Sequence, residues 1–323
     1  MADLSTIKEP IQSEFEEFKR HYSSVFVSTD PLTQQILDYV KSSNGKMMRP
    51  ILVLLIAKSI GIVNERVFNV AASFELLHSG SLIHDDVVDE SNLRRGNPSV
   101  NCVFDNKLAV LSGDYVISLA LQQMSLSGNI ANVGILSELS KQLSEGEIMQ
   151  LESISDASIS EETYFEVITR KTASLFSFAA KAAALTAGAD AKTIAAFQEY
   201  GRIAGLCFQI RDDIFDYFKS DQIGKPTAND LHEGKLTLPA IYSLTHSESD
   251  WTDVISSIKN GTATDAQIKS VIDYTISSGG IDYAYATMEK LKRQAIEALP
   301  SDIPADLMQA LIDYISVIVS RKS

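Results

Sequence analysis

Ile83-His84-Asp85-Asp86-Val87-Val88-Asp89-Glu90 closes a segment, residues 65–90, whose apolar residues recur every three to four positions. That period belongs to an α-helix, in which residues four apart share a face. Asp85 and Asp89 therefore converge near the helix C-terminus. A second stretch, Gln209-Ile210-Arg211-Asp212-Asp213-Ile214-Phe215-Asp216, repeats the arrangement at the end of a segment near 190–219 and brings Asp212 and Asp216 together in the same way.

The period continues in both directions from these two stretches. It predicts helices near 6–21, 31–42, 47–60, 65–90, 107–126, 130–152, 161–187, 190–219, 235–246, 265–278, 280–297 and 303–320. Alternating runs of β-branched residues are scarce, so the fold class is all-α and no sheet is expected. Caps agree: Pro31 follows Asp30, Gly128-Asn129 separates two helices, and Ser160 precedes the acidic pair Glu161 and Glu162. Segments 171–187 and 201–218 are apolar over much of their circumference, as in helices buried inside a bundle. Loops are expected at Ser91 to Asn106 and Ser220 to Gly234. With no linker rich in Pro, Gly or Ser, residues 1–323 are predicted to form a single-domain helical bundle.

A formal net charge of −14 offers no basic field for a nucleic acid or an anionic membrane, so an anionic ligand must meet local cations or metal ions. Cys102 and Cys207 lack metal-ligand spacing and read as two reduced core thiols. Met1 to Pro10 lacks the basic and apolar runs of a secretory signal, and Ile51 to Val63 is too short to span a bilayer. A soluble cytoplasmic protein is expected, with no stable membrane insertion.

Each aspartate cluster crowds like charges at a helix end where the dipole also disfavours them, so a counter-cation is needed. Hard oxygens without histidine or thiolate partners suit magnesium, which keeps waters and shares its shell with substrate phosphates. The neighbouring cations form a set: Arg94-Arg95-Gly96 after the first cluster, Lys171-Thr172 inside an apolar helix, Lys225 and Lys235 after the second, and Lys46 and Arg49 three apart and able to face one anion. Singly, each reads as a surface or salt-bridge residue. Together they describe two anion sites, one metal-assisted and one built from Lys, Arg and His78. Lys171, on an otherwise apolar face, requires a partner.

From about Gly45 to Pro239 the chain resembles the trans-isoprenyl, or polyprenyl, diphosphate synthases of the long-chain type. The agreeing strings are Gly-Lys-x-x-Arg-Pro at 45–50, Glu-Leu-Leu-His at 75–78, Leu-Ile-His-Asp-Asp-Val-Val-Asp at 82–89, Arg-Arg-Gly at 94–96, Lys-Thr at 171–172 and Gln-Ile-Arg-Asp-Asp-Ile-Phe-Asp at 209–216. Gly224-Lys225-Pro226, Asp230 and Gly234-Lys235 complete the match. The resemblance implies an all-α bundle around a deep central cavity, usually a homodimer, with an aspartate cluster on either side of the cavity mouth. It implies that an allylic diphosphate condenses with isopentenyl diphosphate. Asp85, Asp89 and Asp212, with Asp86, Asp213 and Asp216 of the same clusters, would hold Mg2+, three ions per site. Arg94, Lys171, Lys225 and Lys235 would hold the allylic diphosphate, and Lys46, Arg49, His78 and Arg95 the isopentenyl diphosphate. Thr172 and Gln209 would sit beside the leaving group. A quinone side-chain precursor is the implied product use.

Product length is read from the turn before the first aspartates, ~5.4 Å lower on the helix, where Gly80 and Ser81 stand. Neither is aromatic, so a growing chain finds an open floor there, with Leu77 and Phe74 deeper and Met124 from another helix a candidate lower floor. Gly80 and Ser81 are equally readable as close helix packing. The His84-Asp85 dipeptide suggests a metal phosphohydrolase as a rival, but further histidine ligands are scarce and the second cluster is left unexplained. A regulatory partner subunit would lack one cluster, and a cyclase or head-to-head enzyme would not need Lys46, Arg49 and Arg95.

Overall fold

The computed structural model describes residues 3–42, 45–61, 63–155, 160–218 and 228–320. In chain order the elements are α1 Leu4–Lys8, a 3-10 turn Glu9–Ile11, α2 Gln12–Val25, α3 Pro31–Ser42, α4 Met48–Ile60 and α5 Glu65–Val88. A short hairpin, β1 Leu93–Arg94 and β2 Asn97–Pro98, leads into α6 Val100–Phe104, α7 Asn106–Leu126 and α8 Ile130–Ser155. Then come α9 Glu161–Ile168, a π-helical turn Thr169–Ala173, α10 Ser174–Thr186 and α11 Ala191–Phe215. The last elements are α12 Asn229–His232, α13 Leu238–Thr245, α14 Thr252–Lys259, α15 Asp265–Ser277, α16 Gly280–Ala298 and α17 Ala305–Ser320.

The all-α expectation holds, with local departures. Pro10 has no N–H to give an α-helix, so the first predicted helix breaks into α1 and α2 around a 3-10 turn. The predicted loop 91–106 contains α6 and, against expectation, a two-stranded ladder. Arg95 at φ 52° and Gly96 at φ 80° form its two-residue turn, the left-handed pair that matches strand twist. The π-helical turn interrupts the helix predicted over 161–187.

The chain divides into two compact units. One comprises Met1–Glu138, Phe178–Gln198 and Pro300–Tyr314; the other comprises Leu139–Ser177, Glu199–Leu299 and Ile315–Ser323. In the first, α4 is buried on every side from Met48 to Ala57 and α5 from Val67 to Leu77, so their apolar circumference is their sorting signal. α5 runs antiparallel to α7 along a seam stitched by side chains. Asn69 Nδ2 donates to the Leu126 carbonyl at 3.2 Å, and Ser73 Oγ to that of Ala120 at 2.7 Å. In the second unit Arg211, buried, donates to the Ile318 carbonyl at 3.1 Å and lies against the rings of Phe208 and Phe215, which fixes the end of α11. Cys207 is buried as expected, but Cys102 is exposed: α6 turns it outward.

Candidate functional site

The first Asp-Asp-x-x-Asp sits at the end of α5. Asp85 is half-buried and Asp89 exposed. Asp86, one residue or ~100° further round the helix, is turned inward and only 3% exposed. Its Oδ1 accepts from Arg94 Nε at 2.8 Å and Nη2 at 2.5 Å. The hairpin whose first strand carries Arg94 also swings Arg95, in its turn, over Gly45, where a Cβ would collide with the guanidinium. Gly45, Glu75, His78, Asp86, Arg94 and Arg95 line one cavity of about 50 Å³.

The electrostatics follow from burial among these cations. Burial pushes the Glu75 carboxyl up, against the pull of Arg49 and Arg95. Burial, then Arg49, Arg95 and Arg94, holds His78 well below the usual imidazole value, so it is neutral near pH 7. Lys46 and Arg49 do not share a helical face. Met47 is left-handed and α4 begins at Met48, which leaves Lys46 exposed outside the helix and Arg49 buried within it. His84 contacts α7 through the Val110 carbonyl at 3.0 Å and Asp114 at 3.4 Å, which gives no support to a metal-phosphohydrolase dyad.

Gly80 resolves toward packing. A Cβ there would lie 2.7 Å from Ile117 and 3.1 Å from the Gly113 carbonyl, so this residue lets α5 and α7 approach closely. Ser81, half-buried, donates to the His78 carbonyl, and Leu77, Phe74 and Met124 are buried in the same unit.

The second site is built around the π-helical turn. Gly146 of α8 and Gly205 of α11 approach its backbone so closely that a Cβ would lie 2.8 Å from Lys171 N or 2.5 Å from Ala173 Cα. A π turn inserts one residue into a helix and re-aims its side chains. Here it presents Lys171 and Thr172 to a cavity of about 190 Å³ that Gln209, Asp213, Asp230 and Lys235 also line. The partner demanded for Lys171 is Glu147 of α8, at 2.6 Å, with Gln150 at 3.2 Å.

Asp213 repeats the inward turn of Asp86. It is 4% exposed, and both its oxygens are taken: Oδ1 by Gln209 Nε2 at 2.7 Å, Oδ2 by the Tyr164 hydroxyl at 2.5 Å. Thr172 Oγ1 in turn donates to Gln209 Oε1 at 2.6 Å. Burial pushes Asp213 up to about 7, with Asp212 and Asp216 adding to the rise. Asp230 is pushed well above the usual carboxylate range by burial, Asp213 and Asp216. Asp212 is exposed and pairs with Arg211 at 3.0 Å. Asp216 accepts from the backbone N–H groups of Asn229 at 3.1 Å and Asp230 at 2.9 Å, the start of α12. Lys235 pairs with Glu233 at 2.6 Å. Lys225 lies outside the described residues.

The six motif aspartates thus sort by helical position. Asp85, Asp89, Asp212 and Asp216 lie on the faces that the four-residue spacing selects, whereas Asp86 and Asp213 are turned inward and buried. Among the described residues no three His, Cys, Asp or Glu side chains group closely enough to hold an ion by themselves. Hard carboxylates in that sparse arrangement suit an ion that completes its shell with water and phosphate. Sequence reasoning passed over Tyr164 and Glu147. Tyr164 carries no signal of its own in the sequence; its place comes from the hydroxyl on Asp213.

These features have counterparts in known proteins. The Polyprenyl synthetase family model matches residues 30–275. The octaprenyl diphosphate synthase of Escherichia coli (strain K12) is 34% identical over 292 residues, 90% of this chain and 90% of that protein. A polyprenyl synthase from Caulobacter crescentus CB15, solved in complex with calcium and isoprenyl diphosphate, matches at TM-score 0.92 and 29% identity, over 99% of this chain and 98% of that one. A geranylgeranyl pyrophosphate synthase from Bacteroides thetaiotaomicron matches at TM-score 0.85 and 40% identity, over 98% of this chain and 99% of that one. The all-α isoprenoid synthase fold is common to them. A match of that extent, across both Asp-Asp-x-x-Asp helix ends, leaves one assignment: the chain belongs to the polyprenyl synthetase family.

Proposed function

We propose that this chain is a magnesium-dependent trans-polyprenyl diphosphate synthase. It joins an allylic diphosphate to isopentenyl diphosphate head to tail, repeatedly, to make a medium- or long-chain polyprenyl diphosphate. The observation that carries the reading is that each Asp-Asp-x-x-Asp end adjoins a cation-lined cavity of its own unit: Asp86 with Arg94, Arg95 and His78, and Asp213 with Lys171 and Lys235.

Asp85, Asp89, Asp212 and Asp216 take up magnesium, three ions per site on the family's pattern, and the calcium and isoprenyl diphosphate of the Caulobacter relative support a divalent ion with a diphosphate. Bound there, magnesium supplies positive charge to the departing diphosphate. Lys171 and Lys235, which line the cavity beside Asp213, hold the same group from the protein side, in place before charge develops, and Arg94 and Lys225 take that role on the family's pattern. Arg49, Arg95, His78 and Lys46 hold isopentenyl diphosphate. Breakage of the allylic carbon–oxygen bond leaves an allylic cation and diphosphate. The double bond of isopentenyl diphosphate then forms the new carbon–carbon bond, and the proton lost goes to the released diphosphate. No side chain acts as general base.

The enzyme works as one domain, since each unit draws on three separated stretches of sequence and neither can be cut out whole. It acts as a homodimer. The exposed face of α7 carries Val110, Leu111, Tyr115, Leu121 and Leu126, an apolar stripe that a second copy would cover. No helix among the described residues is long and apolar enough to cross a membrane. The cytoplasm is the working place that goes with this proposal. The product feeds quinone side chains. Incubation of the purified chain with labelled isopentenyl diphosphate, magnesium and allylic primers of several lengths tests the reading; no chain extension from any primer sinks it.

A further inference from the structure

The hydrogen bonds that link Thr172, Gln209, Asp213 and Tyr164 have a direction, and that direction has chemical content. Both Asp213 oxygens accept: Oδ2 takes the Tyr164 O–H at 2.5 Å, and Oδ1 takes a Gln209 N–H at 2.7 Å. With its nitrogen committed to Asp213, the Gln209 amide must turn its carbonyl oxygen to Thr172, 2.6 Å away. A carbonyl oxygen accepts only, so the Thr172 hydroxyl must donate to it. What Thr172 then has left for the cavity it lines is a lone pair, not a hydrogen.

Burial makes the order hard to reverse. Asp213 is 4% exposed and Tyr164 7%, so the loss of either partner leaves the other a buried polar group short of a hydrogen bond. Gly146 and Gly205 clamp the π-helical turn that carries Thr172, which leaves its backbone little room to re-aim the hydroxyl.

We propose that Asp213 and Tyr164 are positioning residues for prenyl transfer: acting through Gln209, they set the polarity of Thr172 so that an oxygen lone pair meets the positive charge developing on the allylic carbon. This rests on the prenyl-transfer reading above and adds to it a role for two buried groups that need touch neither substrate nor magnesium. A dipole aimed at developing charge acts chiefly in the transition state, so its loss appears in kcat and not in KM.

The decisive variant is Asp213→Asn, which keeps the shape but brings an N–H of its own. Gln209 can then turn its oxygen toward Asn and its nitrogen toward Thr172, and Thr172 presents a hydrogen to the cavity. In this variant kcat is expected to fall about 100-fold with KM for both diphosphates unchanged. Tyr164→Phe, which leaves Asp213 in place with one donor fewer, should lose about tenfold in kcat on the same scale. Because both act through Thr172, either change made in a Thr172→Val background should cost no further kcat.

Additive losses in that background overturn the proposal, as does restoration of Asp213→Asn turnover by raised magnesium, which would make Asp213 a metal ligand. If Asp213→Asn does not fold, Tyr164→Phe and its combination with Thr172→Val decide alone. A wild-type chain that extends no primer defeats the underlying reading; an active wild type matched by both variants defeats this one only.

Discussion

Arg94 places two N–H donors on a single oxygen of Asp86, Nε at 2.8 Å and Nη2 at 2.5 Å. Asp86 is buried, while Asp85, its neighbour in the motif, is half-buried on the face shared with Asp89. Two adjacent aspartates should therefore fail in opposite ways. Asp86→Ala removes the acceptor of a guanidinium about a third exposed, and should cost about 1–3 kcal/mol of stability after allowance for solvent screening. Asp85→Ala relieves like-charge crowding, so Tm should hold while turnover falls by roughly two orders of magnitude or more; Asp212→Ala should lose turnover likewise, together with some stability because it removes the partner of buried Arg211. Thermal unfolding and label incorporation on the three variants check this. An Asp86→Ala protein that melts with wild type, beside an Asp85→Ala protein that melts early, would reverse the assignment.

The Arg95 guanidinium lies over Gly45, in space that a methyl group would fill. Gly45→Ala should push the guanidinium off its seat and weaken its grip on isopentenyl diphosphate. A charge-assisted hydrogen bond is worth about 1.5–3 kcal/mol, so KM for that substrate should rise roughly 10- to 100-fold with kcat little altered. Initial rates with each diphosphate varied in turn give the answer. A rise in KM for the allylic substrate alone would move Arg95 to the other site.

Gly80 and Ser81 are neighbours in sequence with different surroundings. Gly80 meets Ile117 and the Gly113 carbonyl in the seam between α5 and α7, so Gly80→Ala should cost about 1–3 kcal/mol through overpacking and leave the product distribution of the folded enzyme unchanged. Ser81→Phe places an aromatic ring one turn before the aspartates, and should shorten the main product while diphosphate turnover continues. Reversed-phase chromatography of the product ladder separates the two outcomes. An unchanged ladder for Ser81→Phe removes the open-floor argument for product length.

Helices long enough to show their period could be read from the chain. α3 occupies 31–42 as Asp30 and Pro31 announce, and α5 ends within two residues of its expected boundary. α6, α12 and α14 escaped because four to eight residues display too little of a 3.6-residue period, and the two-pair hairpin because two residues cannot alternate. A π turn leaves no periodic trace, so the re-aiming of Lys171 and Thr172 needed coordinates. The inward turn of Asp86 and Asp213 was legible in principle: the spacing that joins the first and last aspartates of each motif turns the second away from them. Tyr164, read only as part of an apolar helix, became significant once its hydroxyl was seen on Asp213.

His78 gives the fold a pH signature. It faces Glu75 from its own helix, Arg49 from α4, and Arg94 and Arg95 from the hairpin, and its burial among these cations lowers its pKa well below 6.5. The folded chain therefore keeps His78 neutral at pH values where the unfolded chain protonates it. The unfolded state binds more protons, so stability rises with pH through this window. It is complete above 6.5 and declines as pH falls below that value, with a slope approaching one proton, about 1.4 kcal/mol per pH unit. Below the lowered folded-state pKa the decline from this residue stops. Glu75, whose carboxyl is raised, works in the opposite sense, so the contribution of His78 must be read as a difference. In urea unfolding of wild type and His78→Asn through this range, the wild-type curve should fall away from the variant's below 6.5. Parallel curves would show that the imidazole gains no proton on unfolding, and that the guanidinium groups around it do not hold it neutral.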